Sequence, residues 1–308
     1  MSFDKSKISI KEAAKILKSI YNIDGEISML NGEIDFSFKV LTNNSKKYLL
    51  KISRSSFEQE YINYQILLLE HLNKNSKIEI PKIVFSTENK KSSIIQDSYG
   101  NNRSVRLMSW IDGRLWSTVN PITKSLRYEL GYLCSKLTKS LLGFKHGYAE
   151  RAIEWDVARS LWVERYLDKF DPEKIKILKK FIKNFKDNLH LYQKLEKSII
   201  HNDINDNNII VSNDFLNPTV KSVIDFGDAV FSQTINDLAI TCSYGIMNLN
   251  DPLSGCIDIL EGYNQNRKVK DNELKLLYNL IAMRLVISVT KSSINKYKEP
   301  DNTYLLIS

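Results

Sequence analysis

Two short apolar runs near residue 210, each next to a polar loop, constrain the fold of this 308-residue chain most strongly. Residues 209–212 (IIVS) and 220–224 (VKSVI) have the length and side chains of β-strands, and turn-forming residues separate them. Two strands joined by a turn bring the loop before the first strand and the loop after the second to one side. The polar loop 201–208 (HNDINDNN) and the acidic turn 225–228 (DFGD) should therefore lie close together.

The character of the sequence changes near Gly113. Before it, alternating or apolar runs predict strands at 34–40, 48–53, 82–85, 93–96 and 105–110, with helices at 10–21 and 56–72. After it, helical patterns occupy 121–142, 155–170, 172–195 and much of the chain from 235 onward. We therefore predict an α+β fold, with a β-rich lobe at residues 1–108 and a mainly helical lobe at residues 109–308.

The composition excludes several other classes of protein. Hydrophobic residues make up 43% and charged residues 26%, as in ordinary globular domains. The net charge is +8, but the lysines are scattered, so we expect a solvated surface and no nucleic-acid partner. The three cysteines are far apart, and no apolar run is long enough to span a bilayer. These features favour a cytoplasmic protein without a membrane partner, and they leave the oligomeric state open.

The loop and the turn contain the groups that phosphoryl transfer requires. Such a reaction needs a carboxylate beside the attacking hydroxyl and oxygen ligands for Mg²⁺. Asp203 can serve as the catalytic base, and Asn208 and Asp225 can bind the metal together. The spacing Asp-x4-Asn, followed by a strand and Asp-Phe-Gly, is specific only as a combination.

Lys51 lies in the apolar strand run YLLKIS, on the face opposite Leu50. A lysine on a buried strand requires an anionic partner, and the phosphates of ATP would provide one. A lysine on an edge strand that reaches solvent is the alternative interpretation.

These residues resemble the signature of a known family. The motif H-N-D-x4-N at 201–208 and the sequence IDFGD at 224–228 are similar to those of the aminoglycoside phosphotransferase and choline kinase superfamily. The likeness is greatest to hydroxylysine kinases and related amino-alcohol kinases. It extends over nearly the whole chain, through YLLKIS, YQILLLEHL, MSWIDGR, EWDVARS, NDLAI, ILEGYN and IAMRLVISV.

The resemblance implies a bilobal, protein-kinase-like fold with an antiparallel sheet in the N-lobe. It implies ATP or GTP and Mg²⁺ as cofactors and assigns a role to most of the candidate residues. Asp203, with His201 in the same loop, would be catalytic, Asn208 and Asp225 would bind the metal, and Asp237 would brace the loop. The nucleotide would contact Lys51, Gln65, Met108, Ser109, Trp110 and Ile111.

Three positions depart from the family pattern. Asn202 stands where a glycine is usual, and asparagine tolerates the left-handed backbone geometry that a glycine there suggests. Gln65 stands where a glutamate commonly pairs with the strand lysine, and Glu60 is the other candidate for that pairing. The expected phosphate-covering hairpin, around residues 31–32, contains a single glycine.

The implied acceptor is a small hydroxylated amine or amino acid, hydroxylysine-like. An ammonium group favours carboxylates and aromatic faces. The candidate substrate residues are Trp155, Asp156, Asp206 and Asp228, with Glu261 and Tyr263 as further candidates and Arg159 or Arg284 for a carboxylate. Homoserine, choline-type and aminoglycoside acceptors are the enzymatic alternatives, and a nucleotide-binding pseudokinase is the non-enzymatic one.

Overall fold

The computed structural model describes residues 8–32, 35–55 and 57–298 and divides into two compact units. The first unit contains residues 1–74 and 79–111, and the second contains residues 75–78 and 112–308. The division at residues 111 and 112 lies three positions after the boundary expected from the sequence.

The first unit is built on an antiparallel sheet beside two helices. The sheet order is β1-β2-β3-β6-β4, and β5 pairs with β6. The strands are β1 Gly25–Leu30, β2 Asp35–Thr42, β3 Lys47–Ser53, β4 Ile83–Val84, β5 Ser93–Gln96 and β6 Asn102–Ser109, and the helices are α1 Ile10–Tyr21 and α2 Gln59–Asn75.

Helix α1 shows how the local sequence defines an element. The Ser9 side chain accepts a hydrogen bond from the Glu12 N–H at 3.1 Å, which satisfies a free donor of the first turn. Asn22 ends the helix in the left-handed conformation with φ 51°. The apolar face packs on Phe38, Val40, Leu50 and Ile52 in the core of this unit; its buried members are Ala13, Ile16, Leu17 and Tyr21.

Most predicted elements of the first unit are present. Helix α1 and strand β5 have the predicted bounds, whereas β1 was not predicted. Helix α2 starts and ends three residues later than expected. The starting residues of the predicted strand at 34–40 and of the predicted helix at 56–72 lie outside the described residues.

The second unit is mainly helical and carries two small sheets, β10-β9-β7 and β11-β8. Its strands are β7 Arg114–Leu115, β8 Lys197–Ile200, β9 Ile209–Val211, β10 Val220–Val223 and β11 Val230–Gln233. Its α-helices are α3 Lys124–Leu141, α4 Pro172–Asp187, α5 Leu189–Tyr192, α6 Asn236–Gly245, α7 Pro252–Tyr263 and α8 Asp271–Lys298, and its longest 3₁₀ helix is Val157–Lys169. The α+β fold class is thereby confirmed.

Three details of the second unit differ from the prediction. The stretch at 157–169 is a 3₁₀ helix, and the single helix expected at 172–195 ends at Asp187. Strands β7, β8 and β11 were not predicted from the sequence. In the described part of the chain, no helix has both the length and the apolar character needed to cross a bilayer.

Helices α3 and α7 pack with unusually close backbones. A Cβ atom added at Gly131 would lie 1.8 Å from the Ile259 carbonyl oxygen, and one at Gly262 would lie 1.9 Å from the Tyr128 carbonyl oxygen. An ion pair between Arg127 and Asp258, with a 2.8 Å N–O distance, joins the same two helices. Glycine is therefore required at both contact points by space rather than by backbone conformation.

We expect Gly131→Ala to lower the free energy of unfolding by roughly 3 kcal/mol, because the two helices must separate to admit a methyl group. Denaturant titration measures this change. Gly147→Ala is the matched control, since nothing lies within 4 Å of an added Cβ there, and it should change stability by less than about 0.5 kcal/mol. Equal stability of the two variants would contradict this view of the contact.

Candidate active site

A buried carboxylate anchors the loop at 201–208. Asp237, at the start of α6, accepts hydrogen bonds from the backbone N–H groups of His201 at 2.9 Å and Asn202 at 2.8 Å. Its residue is only 1% exposed, and burial raises the pKa of its carboxyl group while His201 and the two hydrogen bonds oppose that rise. This geometry is what a bracing residue requires.

His201 is enclosed and has backbone partners on both ring nitrogens. Its Nδ1 accepts a hydrogen bond from the Asp203 N–H at 3.2 Å, so its Nε2 carries the proton and donates to the Ile224 carbonyl oxygen at 3.1 Å. The ring also packs 4.6 Å from the ring of Phe226. We counted His201 with the catalytic residues from the sequence, but this geometry favours a positioning role that links the loop to the acidic turn.

The Asp203 carboxylate is held by three side chains and keeps 21% of its side-chain surface exposed. Arg284 donates to its Oδ1 at 2.7 Å, and Asn208 donates to its Oδ2 at 2.7 Å. Asn205 lies 3.0 Å from both oxygens. The carboxylate is therefore fixed in orientation but remains reachable, as a general base must be.

Arg284 on α8 is the main residue whose contacts could not be read from the sequence. Its side chain is 1% exposed, and all three guanidinium nitrogens donate. Besides Asp203, the acceptors are the Trp155 carbonyl at 3.0 Å, the Asn202 carbonyl at 3.3 Å and the Tyr244 hydroxyl at 3.3 Å. Arg284 was a sequence candidate for binding a substrate carboxylate, but its guanidinium pairs inside the protein. The only sequence signal for this pairing was an arginine inside an apolar helix.

The two candidate metal ligands are neighbours through the β9–β10 pairing. The Asn208 carbonyl accepts a hydrogen bond from the Ile224 N–H at 2.8 Å, and Asp225 follows directly with φ 61°. The Asn208 amide nitrogen donates to Asp203, while its Oδ1 accepts no hydrogen bond from any described residue. Oxygen atoms of this kind suit Mg²⁺, which commonly takes only one or two carboxylates from a protein.

Negative charge is concentrated beside these ligands. The pKa of Asp228 is raised to about 7, first by burial and then by the charges of Asp203 and Asp225. A divalent cation at Asn208 and Asp225 would offset this repulsion, so the residues present fit the metal. Among the described residues, no group of three or more His, Cys, Asp or Glu side chains is arranged to hold a metal ion, so the proposed metal site rests on Asn208 and Asp225.

The four candidate substrate residues fall into two groups. Asp228 and Asp206 lie close enough to Asp203 for its charge to raise their pKa values, although burial is the larger cause for both. The Trp155 ring lies 4.8 Å from the guanidinium of Arg284. Asp156 is instead occupied elsewhere, because its Oδ1 caps the 3₁₀ helix through the Ala158 N–H and accepts from the Ser232 hydroxyl.

In the first unit, Lys51 belongs to a buried polar cluster. Its Nζ lies 4.0 Å from the Asp35 carboxylate, which also accepts from Arg106 at 2.6 Å. Gln65 is the acceptor of a second hydrogen bond from Arg106, whereas Glu60 is exposed. Asp35 is therefore an acidic neighbour of Lys51 that was not expected from the sequence, and Gln65 is held by Arg106.

The segment predicted to meet the adenine ends strand β6. Met108 and Ile111 are 7% and 6% exposed, and the N–H groups of Ser109 and Trp110 donate to Lys82 and Lys47. The Ile111 N–H and the Trp110 carbonyl form no hydrogen bond with another described residue. These two backbone groups are the ones this segment offers to a base.

Asn202 occupies its site at a visible cost. Its φ is 67°, in the left-handed region, and its residue is fully buried. Neither its amide nitrogen nor its amide oxygen has a hydrogen-bond partner among the described residues. Its backbone is compatible with the glycine that the family motif has there, and its side chain contributes two unsatisfied polar atoms.

We expect Asn202→Gly to raise the free energy of unfolding by about 1 kcal/mol, because it removes both buried unpaired atoms and relaxes the positive φ. The change is measured as a higher midpoint in a denaturant titration. Asn248→Gly is the control, since Asn248 has φ 62° but an exposed side chain. A variant at Asn202 that is less stable than the control would refute the assignment.

Known proteins resemble this chain over most of its length. The pattern of the Phosphotransferase enzyme family matches residues 26–258. A hydroxylysine kinase from Xenopus laevis is 24% identical to this chain in an alignment that covers 99% of this chain and 88% of that protein.

Solved structures share the fold. A microcompartment-associated aminopropanol kinase superposes with a TM-score of 0.76 at 16% identity, covering 97% of this chain and 93% of that one. An amicoumacin kinase in complex with AMP-PNP, Ca²⁺ and Ami superposes with a TM-score of 0.72 at 16% identity, covering 93% of this chain and 86% of that one. The expected resemblance is thereby confirmed: the chain belongs to the Phosphotransferase enzyme family and is an enzyme that phosphorylates hydroxyl groups.

Proposed function

We propose that the chain transfers the γ-phosphate of ATP or GTP to a hydroxyl group of a small amine or amino acid, hydroxylysine-like, with Mg²⁺. The observation that carries this proposal is the Asp203 carboxylate, which Arg284, Asn205 and Asn208 hold in one orientation while part of it stays exposed. A hydroxylysine kinase among the relatives supports the acceptor class.

The proposed roles follow from the chemistry of each side chain. Asp203 would orient the acceptor hydroxyl and accept its proton. Asn208 and Asp225 would hold Mg²⁺, which neutralises charge on the phosphates when bound. Lys51 in the first unit would bind the α- and β-phosphates, and the backbone at 108–111 would meet the base.

The charge around Asp203 favours an amine over an acceptor without positive charge. Burial is the main cause of the raised pKa values of Asp206 and Asp228, and the charge of Asp203 raises both of them further. An ammonium group beside these carboxylates would stabilise their charged forms. Arg284, by contrast, already uses all its nitrogens, so it does not serve as the partner of a substrate carboxylate.

An acceptor panel tests the proposal. We expect Mg²⁺-dependent release of nucleoside diphosphate with 5-hydroxylysine, at a kcat/KM at least about tenfold above those for homoserine, choline and kanamycin. Each acceptor is assayed with ATP and with GTP. Turnover with kanamycin alone would sink the amino-acid proposal.

Asp203→Asn should lower turnover by about 10²–10⁴-fold, because it removes the base while it preserves shape. Asp168→Asn is the matched control on an exposed part of the 3₁₀ helix and should retain wild-type rates. Equal rates for the wild type and the Asp203 variant would remove Asp203 from the mechanism.

Arg284→Lys tests how the base is positioned. Lysine keeps the charge but donates from a single nitrogen, so it cannot reach all four acceptors that Arg284 contacts. We expect kcat to fall by about 10²-fold through misplacement of Asp203, with little change in the KM for the nucleotide.

The control for that experiment is Arg165→Lys, at an exposed arginine of the 3₁₀ helix. A thermal melt reports whether the Arg284 variant is folded. A folded variant with an unchanged kcat would show that Arg284 supports the fold only.

A further inference from the structure

The second unit contains a pocket of about 250 Å³ that the proposed reaction does not use. It runs along the ribbon of strands β8 and β11 and is closed by the 3₁₀ helix Val157–Lys169 and by α5. The lining residues that matter here are Arg151, Asp156, Arg159, Leu189, Lys197 and Phe231.

This pocket is separate from the group around Asp203. The catalytic loop leaves β8 at Ile200, which pairs with Val230, whereas the pocket includes Lys197 and Gln233 at the other end of the same ladder. Three residues of strand span about 10 Å. Neither Asp203 nor the candidate metal ligands contribute to the lining.

One wall of the pocket carries a buried carboxylate with an open oxygen. Asp156 is 2% exposed, and its Oδ1 accepts from the Ser232 hydroxyl at 2.7 Å and the Ala158 N–H at 3.0 Å. Its Oδ2 has no hydrogen bond to any described residue. Burial raises the pKa of the Asp156 carboxyl group, while its two hydrogen bonds and the nearby charges of Arg159 and Lys197 oppose that rise. A donor inside the pocket, above all a cation, would stabilise it.

The exposed part of the pocket lining carries two cations, which an anionic group would stabilise. Arg159 and Lys197 are exposed, and within the described ranges neither side chain makes a hydrogen bond or an ion pair. Either cation alone would be an ordinary surface residue. Here both border a pocket whose wall is a buried carboxylate, with the half-exposed Phe231 ring and Leu189 as apolar surface between.

We propose that this pocket binds a small zwitterion, with its ammonium group on Asp156 and its phosphate or carboxylate group on Arg159 and Lys197. Charge-assisted hydrogen bonds at both ends select a molecule that carries both charges. The pocket also has a physical connection to the acidic turn. Arg151 lines it and donates through Nη2 to the Gly227 carbonyl oxygen at 2.7 Å, between Asp225 and Asp228.

Calorimetric titration of the full chain with O-phosphoethanolamine, without nucleotide or metal, tests the proposal. We expect saturable one-to-one binding, with inorganic phosphate alone and ethanolamine alone each at least about tenfold weaker, since each lacks one charge-assisted contact worth about 1.5–3 kcal/mol. The double variant Arg159→Ala/Lys197→Ala should weaken binding at least about tenfold for the same reason. Asp156→Asn should weaken it as well, which provides a second variant at the other end of the ligand.

The matched control is Arg165→Ala/Lys194→Ala, which removes the same two charges from exposed positions outside the lining. It should bind as the wild type does, and so should Asp203→Asn, which alters only the proposed acceptor site. The proposal is overturned if the wild type does not bind the probe, if phosphate alone binds equally well, or if the control double variant loses as much affinity as the pocket variant. It is also overturned if Asp203→Asn abolishes binding, because the probe would then occupy the acceptor site.

Discussion

The two hydrogen bonds from the His201 and Asn202 backbone to the buried Asp237 carboxylate are the contacts on which the active-site geometry depends. A carboxylate taken out of water is unfavourable unless it is paired, and here its partners are the first two amides of the catalytic loop. These two hydrogen bonds attach the start of the loop to α6. The direction of Asp203, one residue later, follows from that attachment.

A second attachment of the loop comes from α8. Arg284 donates hydrogen bonds to both the Asn202 carbonyl and the Asp203 carboxylate, so it links two adjacent loop residues to this helix. Residues of the loop itself supply the remaining donors to Asp203. The proposed base is therefore positioned by side chains from separate parts of the chain. Those contacts offset the cost of Asn202, which has a left-handed backbone and a buried amide without a partner among the described residues.

The sequence predicted what is local and left out what depends on distant partners. The order Asp203, Asn208 and Asp225 with strands between them pointed to phosphoryl transfer, and the change from strand to helix patterns near Gly113 predicted the α+β fold, since turn residues and hydrophobic periods are properties of short segments. The partners of Arg284, Gln65 and Lys51 were not predictable, because each lies on another element. The burial of Asp156 behind Ser232 was hidden for the same reason.

The contact between Arg284 and Asp203 joins residues that are 81 positions apart, and this separation has a consequence during synthesis on the ribosome. At about 5–20 residues per second, Arg284 is added about 4–16 s after Asp203. For most of that interval, once Asp225 has been added, the nascent chain contains the whole proposed catalytic motif but lacks Arg284, which holds the Asp203 carboxylate. A chain truncated before α8 would therefore contain the family motif without the arginine that orients Asp203.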